Sequence, residues 1–223
     1  MPPADAPHPP VVTVAALYGA GGSVIGPRVA ERLGVAFLDR EIPAAAARNA
    51  GVSDHAVADV DDGPRSGVDR LVATLSRAGT TAGGAAGSDE RLDLQERRLR
   101  AYIEEFLAQS AASGGVTMGR GGMVVLRSVP WALHVHLGGP REARLRQRMA
   151  LEGIDRQTAE RRRRAEDRTR IAYVRRAYGT DGADPSHYHL MLDSTALPLD
   201  TCVDLVVQAA LARTREPHAS PPT

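Results

Sequence analysis

VVTVAALYGAGGSVIGPRVAERLG, residues 11–34, decides how this chain reads. Val11 to Leu17 is a short, continuous β-prone run, suited to a strand buried on both faces of a parallel sheet. GAGGS, residues 19–23, is a glycine-rich turn. Behind it Val24, Ile25, Val29 and Leu33 recur at helical spacing, and Gly34 stands where a left-handed residue ends a helix. Strand, turn and helix in that order leave a helix N-terminus facing the turn. Its free N–H groups and positive dipole end suit an anion. Pro27, a turn into the helix, forgoes one backbone hydrogen bond.

Two phosphate-binding patterns compete for the turn. G-x-G-x-x-G fails, because Val24 stands where a third glycine would follow Gly19 and Gly21. G-x-x-x-x-G-K-[ST] fits in part. Ala16 takes the first glycine position, Gly21 the second, Gly22 the lysine and Ser23 the hydroxyl. A plain tight turn feeding a helix is the competing structural reading.

Outward from this unit, short β-runs alternate with helical patterns. VAFLD (35–39) reads as a second strand and Ala44 to Ala50 as helix-prone. DDGPRSG, a possible helix RLVATLSRA and the low-complexity GTTAGGAAGSDE make residues 60–90 a mobile insertion. Arg91 to Ala112 reads as a helix with Leu94, Leu99, Ile103, Phe106 and Leu107 on its core side. VTMGRGG begins a third strand and turn, and ALHVHL (132–137) is a fourth strand. Two basic helices, 141–152 and about 156–178, join at Gly153. GTDGADPS is a loop, YHLMLD a fifth strand, and Leu199 to Arg213 a last helix with Cys202, Leu205, Val206 and Ala209 apolar. This alternation predicts βαβ units, with ligand at the carboxyl ends of the strands.

The chain has 223 residues, 43% hydrophobic and 25% charged, in keeping with a globular protein. With 4% aromatics, the core must rest on Ala, Val and Leu. Eight of the 15 prolines fall in residues 1–10 and 217–223, so disordered tails are expected at 1–10 and 214–223 around one domain at 11–213. No apolar run reaches the roughly 18 residues of a membrane helix, and no secretory signal is visible, so a cytoplasmic protein is expected. A lone Cys202 excludes an internal disulfide. All 28 basic residues are arginine, so any phosphate must be met by guanidinium or backbone. Thirteen of them, against six acids, lie between Arg141 and Arg176. This basic arm suits polyphosphate, nucleic acid or an acidic partner.

YGAGGSVIGPRVAERLG with VAFLDRE after it, GGVTMGRGG, and EDRTRIAYVRRAYGTDGADPSHYHLMLDSTALPLDTCVDLVVQ together resemble the cytidylate kinase-like family. That family is a branch of the P-loop nucleoside monophosphate kinases. The resemblance spans about residues 11 to 210, apart from the insertion. It implies an α/β fold: a P-loop NTPase-type parallel β-sheet of about five strands, helices on both faces and a helical lid. It also implies transfer of the ATP γ-phosphoryl group to a nucleoside monophosphate or other small phosphorylated acceptor, with Mg2+. Carried over by position, Gly19, Ala20, Gly21, Gly22, Ser23 and Val24 would wrap the phosphates, and the Ser23 hydroxyl would meet Mg2+. Asp39 and Arg40 would face the acceptor, and Arg120 would hold its phosphate. Arg164, Arg168 and Arg170 would belong to the catalytic lid, oriented by Asp167. Two departures stand out: Gly22 at the lysine position, and Met118 at the acid of the Asp-Gly-Arg motif.

The physics is compatible with transfer, which needs two phosphates in line and developing charge neutralised rather than a strong base. Arg161, Arg164, Arg168 and Arg175 share one helix face; a solvated face is the plainer reading, above all for Arg161 to Arg163. Arg120 between glycines reads equally as a ligand contact or as a capping or salt-bridging residue. His134 and His136 alternate on one sheet face and lack a third ligand for a metal site. The rival function is a non-catalytic nucleotide-binding or regulatory protein on the same scaffold. A nucleic-acid module is disfavoured, since the arm offers only Tyr173 and Tyr178 for stacking.

Overall fold

Four of the β-prone runs form one parallel sheet: β1 (Val11–Ala16), β2 (Gly115–Met118), β3 (Ala132–Gly138) and β4 (Leu190–Asp193), in the order β2-β1-β3-β4. The computed structural model describes residues 8–38 and 86–215. Residues 1–37 with 107–223 make one compact unit, and residues 38–106 a second. The described helices are α1 (Gly22–Leu33), α2 (Ala86–Ser113), α3 (Gly122–Val125), α4 (Arg141–Glu152), α5 (Arg156–Tyr178) and α6 (Leu199–Arg215).

One sheet face is apolar. Val12, Val14, Val116, Leu133, Val135 and Leu137 pack there with Ile25, Val29 and Leu33 of α1 and Val203 and Val206 of α6. Burying each such side chain is worth about 1.5–3 kcal/mol, so the layer that α1 and α6 form together on this face contributes much of the stability. Gly34 ends α1 in the left-handed conformation, and Gly153 and Gly179 end α4 and α5 in the same way. The opposite face buries polar groups: Thr13, Thr117 and His134 are each 3% exposed or less.

Several expectations change. VAFLD is not a strand: Phe37 makes an isolated parallel bridge to Val116, and its ring turns onto Gly26 of α1, where a Cβ would lie 2.9 Å from it. Among the described residues the sheet has four strands and a bridge, near the expected count of about five. GGMVVL adds the unexpected α3, whose Gly122 lies against Thr13 and Thr117. Leu205 is 37% exposed, because the buried stripe of α6 runs through Cys202, Val203, Val206, Val207 and Ala210. Residues 8–10, expected in a tail, are held: His8 stacks on Trp131 at 3.9 Å, and the Pro10 carbonyl accepts from Gly115 N at 2.9 Å. Residues 86–90, expected in the insertion, are helical. The rest of that insertion, the 44–50 helix, the side chains of Leu94 and Leu99, residues 1–7 and 216–223 lie outside the described residues.

Candidate active site

β1 ends at Ala16, and the chain turns through Gly19 (φ 80°) and Gly21 (φ 73°) into α1. Gly21 is the N-cap; no side chain caps the helix and its first turn carries no acid. Ala20 N donates to Leu17 O at 3.0 Å, and Val24 N and Ile25 N donate to Gly21 O. Among the described residues, no hydrogen bond takes up the N–H groups of Gly19, Gly21, Gly22 or Ser23. A largely buried helix start with uncapped N–H groups is an unsatisfied arrangement unless an anion completes it.

The carbonyls of Tyr18, Gly19 and Ala20 are all held by side chains. Arg144 Nη1 donates to Tyr18 O at 2.6 Å and its Nε to Gly139 O at 3.0 Å. Gln147 Nε2 donates to Gly19 O at 3.0 Å, and Ser194 Oγ to Ala20 O at 2.7 Å. Arg170 Nη1 donates to Ala16 O, while Tyr18 N donates to Asp167 Oδ1 at 3.0 Å. The Tyr18 ring sits beside Leu145 and Ala159 with the Arg148 guanidinium 5.1 Å from its centroid. Burial pushes the Tyr18 hydroxyl pKa up. Arg144, Gln147 and Ser194 are absent from the residues the sequence singled out. Only their place in the basic arm and the LDST run marked them.

At the end of β2, Gly119, Arg120 and Gly121 are all left-handed, with φ 75°, 65° and 68°. Arg120 is 6% exposed. Gly119 N donates to Val14 O at 2.8 Å, which ties this turn to β1. Tyr178 Oη donates to Arg120 O at 3.2 Å, and its ring fills the space where a Gly121 Cβ would go. Helix α5 thus touches both turns at the strand carboxyl ends, through Asp167 and Arg170 at one and Tyr178 at the other. Tyr173 packs edge-on to Tyr178 at 6.1 Å, so both arm tyrosines are engaged within the chain.

The basic arm has two characters. Towards the loop, Asp167 lies 3.6 Å from both Arg144 and Arg163, Glu152 meets Arg148 at 2.6 Å and Arg162 at 3.2 Å, and Glu166 meets Arg170 at 3.5 Å. On the other side, Arg161, Arg164 and Arg168 line a shallow surface hollow with Gln157, Glu160 and Ala165. Arg164 is 70% exposed and reaches Glu160 only at 3.9 Å. The structure therefore brings Asp167 and Arg170 to the loop and leaves Arg164 and Arg168 on the face turned away from it. Asp39 and Arg40 lie outside the described residues.

Gly22 is enclosed. A Cβ there would lie 2.6 Å from the Ala16 Cβ and 3.1 Å from Met118 Sδ. The methyl group at the first-glycine position occupies the space from which a lysine side chain would start.

His134 and His189 bond within the fold. His134 Nδ1 shares a hydrogen bond with Thr13 Oγ1 at 2.9 Å, the His134 backbone N–H donates to His189 Nδ1 at 3.0 Å, and the two rings stack at 4.8 Å. Among the described residues no three potential ligands gather for a metal ion. Burial, aided by the charges of His189, Arg213 and His187, pushes the His134 pKa down to about 4. The unfolded chain binds a proton near pH 6.5 and the folded chain does not, so stability is full above that pH and falls as pH drops towards 4. The expected loss is about 3 kcal/mol across that window. Urea unfolding of wild type and His134→Gln between pH 7 and 4 checks it: the variant should lose most of the slope. Cys202 is buried on α6, which pushes its thiol pKa up and leaves it a core residue.

A parallel sheet with a glycine turn feeding an uncapped helix, and a second glycine-flanked turn beside it, defines a P-loop kinase-like fold. The chain belongs to the cytidylate kinase-like family, whose sequence profile matches residues 11–196. An uncharacterized protein from Eubacterium ventriosum is similar in structure, with a TM-score of 0.61 and 14% identity, covering 90% of this chain and 97% of that one. The shikimate kinase from Acinetobacter baumannii in complex with shikimate aligns with a TM-score of 0.49 and 15% identity, covering 91% and 93%. A uronate isomerase from Corynebacterium glutamicum is 26% identical over 143 residues, 64% of this chain. The chain spans 27% of that relative's length. No described helix is long and apolar enough to cross a membrane.

Proposed function

We propose that the chain binds ATP or another nucleoside triphosphate, with its phosphates on the N–H groups between Gly19 and Ser23. The γ-phosphoryl group then moves to a nucleoside monophosphate or another small phosphorylated acceptor. The observation that carries this reading is the set of N–H groups at the uncapped start of α1. Arg120, buried at the end of β2, is proposed to hold the acceptor's phosphate, with Asp39 and Arg40 facing the acceptor. Ser23, exposed at the mouth of the loop, offers one hydroxyl oxygen to Mg2+; phosphate oxygens and water fit the remaining positions. Mg2+ would neutralise charge on the phosphates. A cytoplasmic setting agrees with these substrates.

Arg164, Arg168 and Arg170 are proposed to supply the positive charge that the missing lysine does not. Arg170 already lies against the loop, whereas Arg164 and Arg168 reach the phosphates only if α5 shifts on it. On that reading Arg168→Ala lowers kcat on the order of 10²-fold and leaves the ATP Kd nearly unchanged, as expected for a contact made mainly in the transition state. Full turnover in Arg168→Ala with loss in Arg170→Ala would mean that α5 works in its docked position.

Gly22 favours a second reading, a non-catalytic nucleotide-binding or regulatory protein on the same scaffold. One experiment separates the two. ATP and Mg2+ are offered with a panel of nucleoside mono- and diphosphates, phosphate transfer is read, and ATP binding is followed by calorimetry. Transfer to one acceptor supports the kinase; ATP binding without transfer to any supports the binder.

A further inference from the structure

We propose that Arg144, Gln147 and Ser194 are positioning residues of the phosphate loop: by holding three consecutive carbonyls they aim its N–H groups at the bound anion. The proposal rests on reading Gly19–Ser23 as a phosphate site. Its basis is peptide geometry. In a trans peptide the C=O and the following N–H point in opposite directions, so fixing one fixes the other.

The three side chains take the carbonyls of Tyr18, Gly19 and Ala20 in order. Arg144 on the Tyr18 carbonyl therefore turns the Gly19 N–H the other way, and Ser194 on the Ala20 carbonyl does the same for Gly21. Those are two of the N–H groups with no partner among the described residues. Gln147 fixes the middle peptide, whose Ala20 N–H closes the turn onto Leu17 O. The Gly21 carbonyl, taken by Val24 and Ile25, orients the Gly22 N–H in the same manner.

The donors are fixed in turn. Ser194 is fully buried and its Oγ also lies 3.3 Å from Gly138 O. The Arg144 side chain is 8% exposed, bridges Tyr18 O and Gly139 O, and lies 3.6 Å from Asp167. A peptide whose carbonyl accepts a hydrogen bond is polarised and donates more strongly, the more so when the donor is charged. Arg144 thus passes positive character to the Gly19 N–H through one peptide, in a loop that lacks the lysine.

The test uses inorganic pyrophosphate and ATP as probes, by calorimetry, with amide NMR of the full chain. Ser194→Ala and Gln147→Met remove a donor each, and Arg144→Lys keeps the charge but loses the two-carbonyl fork. Ser194→Ala and Arg144→Lys should each weaken pyrophosphate binding by about tenfold, the effect of one misdirected hydrogen bond to a charged group, whereas Gln147→Met, whose peptide N–H stays on Leu17 O, should weaken it less. The Gly21 amide proton should move upfield in Ser194→Ala, and the Gly19 amide proton in Arg144→Lys, which a general loosening of the fold would not separate. Wild-type affinity and unmoved amides in Ser194→Ala and Arg144→Lys would overturn the proposal. Failure of the wild type to bind either probe would instead overturn the phosphate-site reading, and the proposal with it.

Discussion

Gly19→Ala should weaken ATP binding by at least about 10²-fold, the loss of one or two charge-assisted hydrogen bonds to phosphate. The residue adopts φ 80°, a region that costs an alanine about 1–2 kcal/mol. Space is the larger obstacle. A Cβ at Gly19 would lie 2.2 Å from the Arg144 carbonyl oxygen and 2.7 Å from its carbon. Those atoms are backbone in the first turn of α4, and Arg144 is itself tied to Tyr18 and Gly139, so the neighbour cannot swing aside. The loop must move instead, and the N–H groups move with it. Calorimetry with ATP checks this, alongside circular dichroism to show that the variant folds. Unchanged affinity in a folded Gly19→Ala protein would remove the loop from the site.

Gly22→Lys should damage the protein rather than repair it. Read as a sequence, Gly22 is a lysine position left vacant, and restoring the lysine would be expected to raise transfer if the rest of the site is intact and to do nothing in a binder. The structure reverses that expectation, since the lysine's own Cβ would overlap the Ala16 methyl at 2.6 Å and press on Met118 Sδ at 3.1 Å. Overpacking of this kind costs about 1–3 kcal/mol, a Tm lower by roughly 2–12 °C in a chain of this size. ATP binding should fall together with it. Adding Ala16→Gly removes the overlapping methyl, so the double variant should recover most of the Tm, less the roughly 0.5–1 kcal/mol that a strand-end glycine costs. ATP affinity in the double variant should then equal or exceed wild type. A single Gly22→Lys protein as stable as wild type would show that Ala16 does not exclude the lysine.

The sequence carried the local pieces well. Glycines 34, 153 and 179 each end a helix in the left-handed conformation, and their type alone marks that position. The β1–turn–α1 unit and the split of the basic arm at Gly153 were legible for the same reason: strand, turn and cap signals act between residues close in the chain. VAFLD shows the limit. Its composition suits a strand, but Phe37 pairs with Val116 only as an isolated bridge and its ring packs against Gly26 of α1.

The site divides along the same line. Sequence alone determined that a glycine-rich turn leads into a helix after β1, that the chain has no lysine to serve it, and that an arginine-rich arm follows β3. Which arginines meet the loop was a tertiary decision. Asp167 and Arg170 share one face of α5 and Arg164 and Arg168 another, and docking of that helix on Ala16 and Tyr18 chose between the faces. The carbonyl holders Arg144, Gln147 and Ser194 lie more than 120 residues from their acceptors, so no local pattern marks them. The enclosure of Gly22 by Ala16 and Met118 depends on β1 and β2 running side by side, a pairing between strands about a hundred residues apart in the chain, which no local pattern encodes.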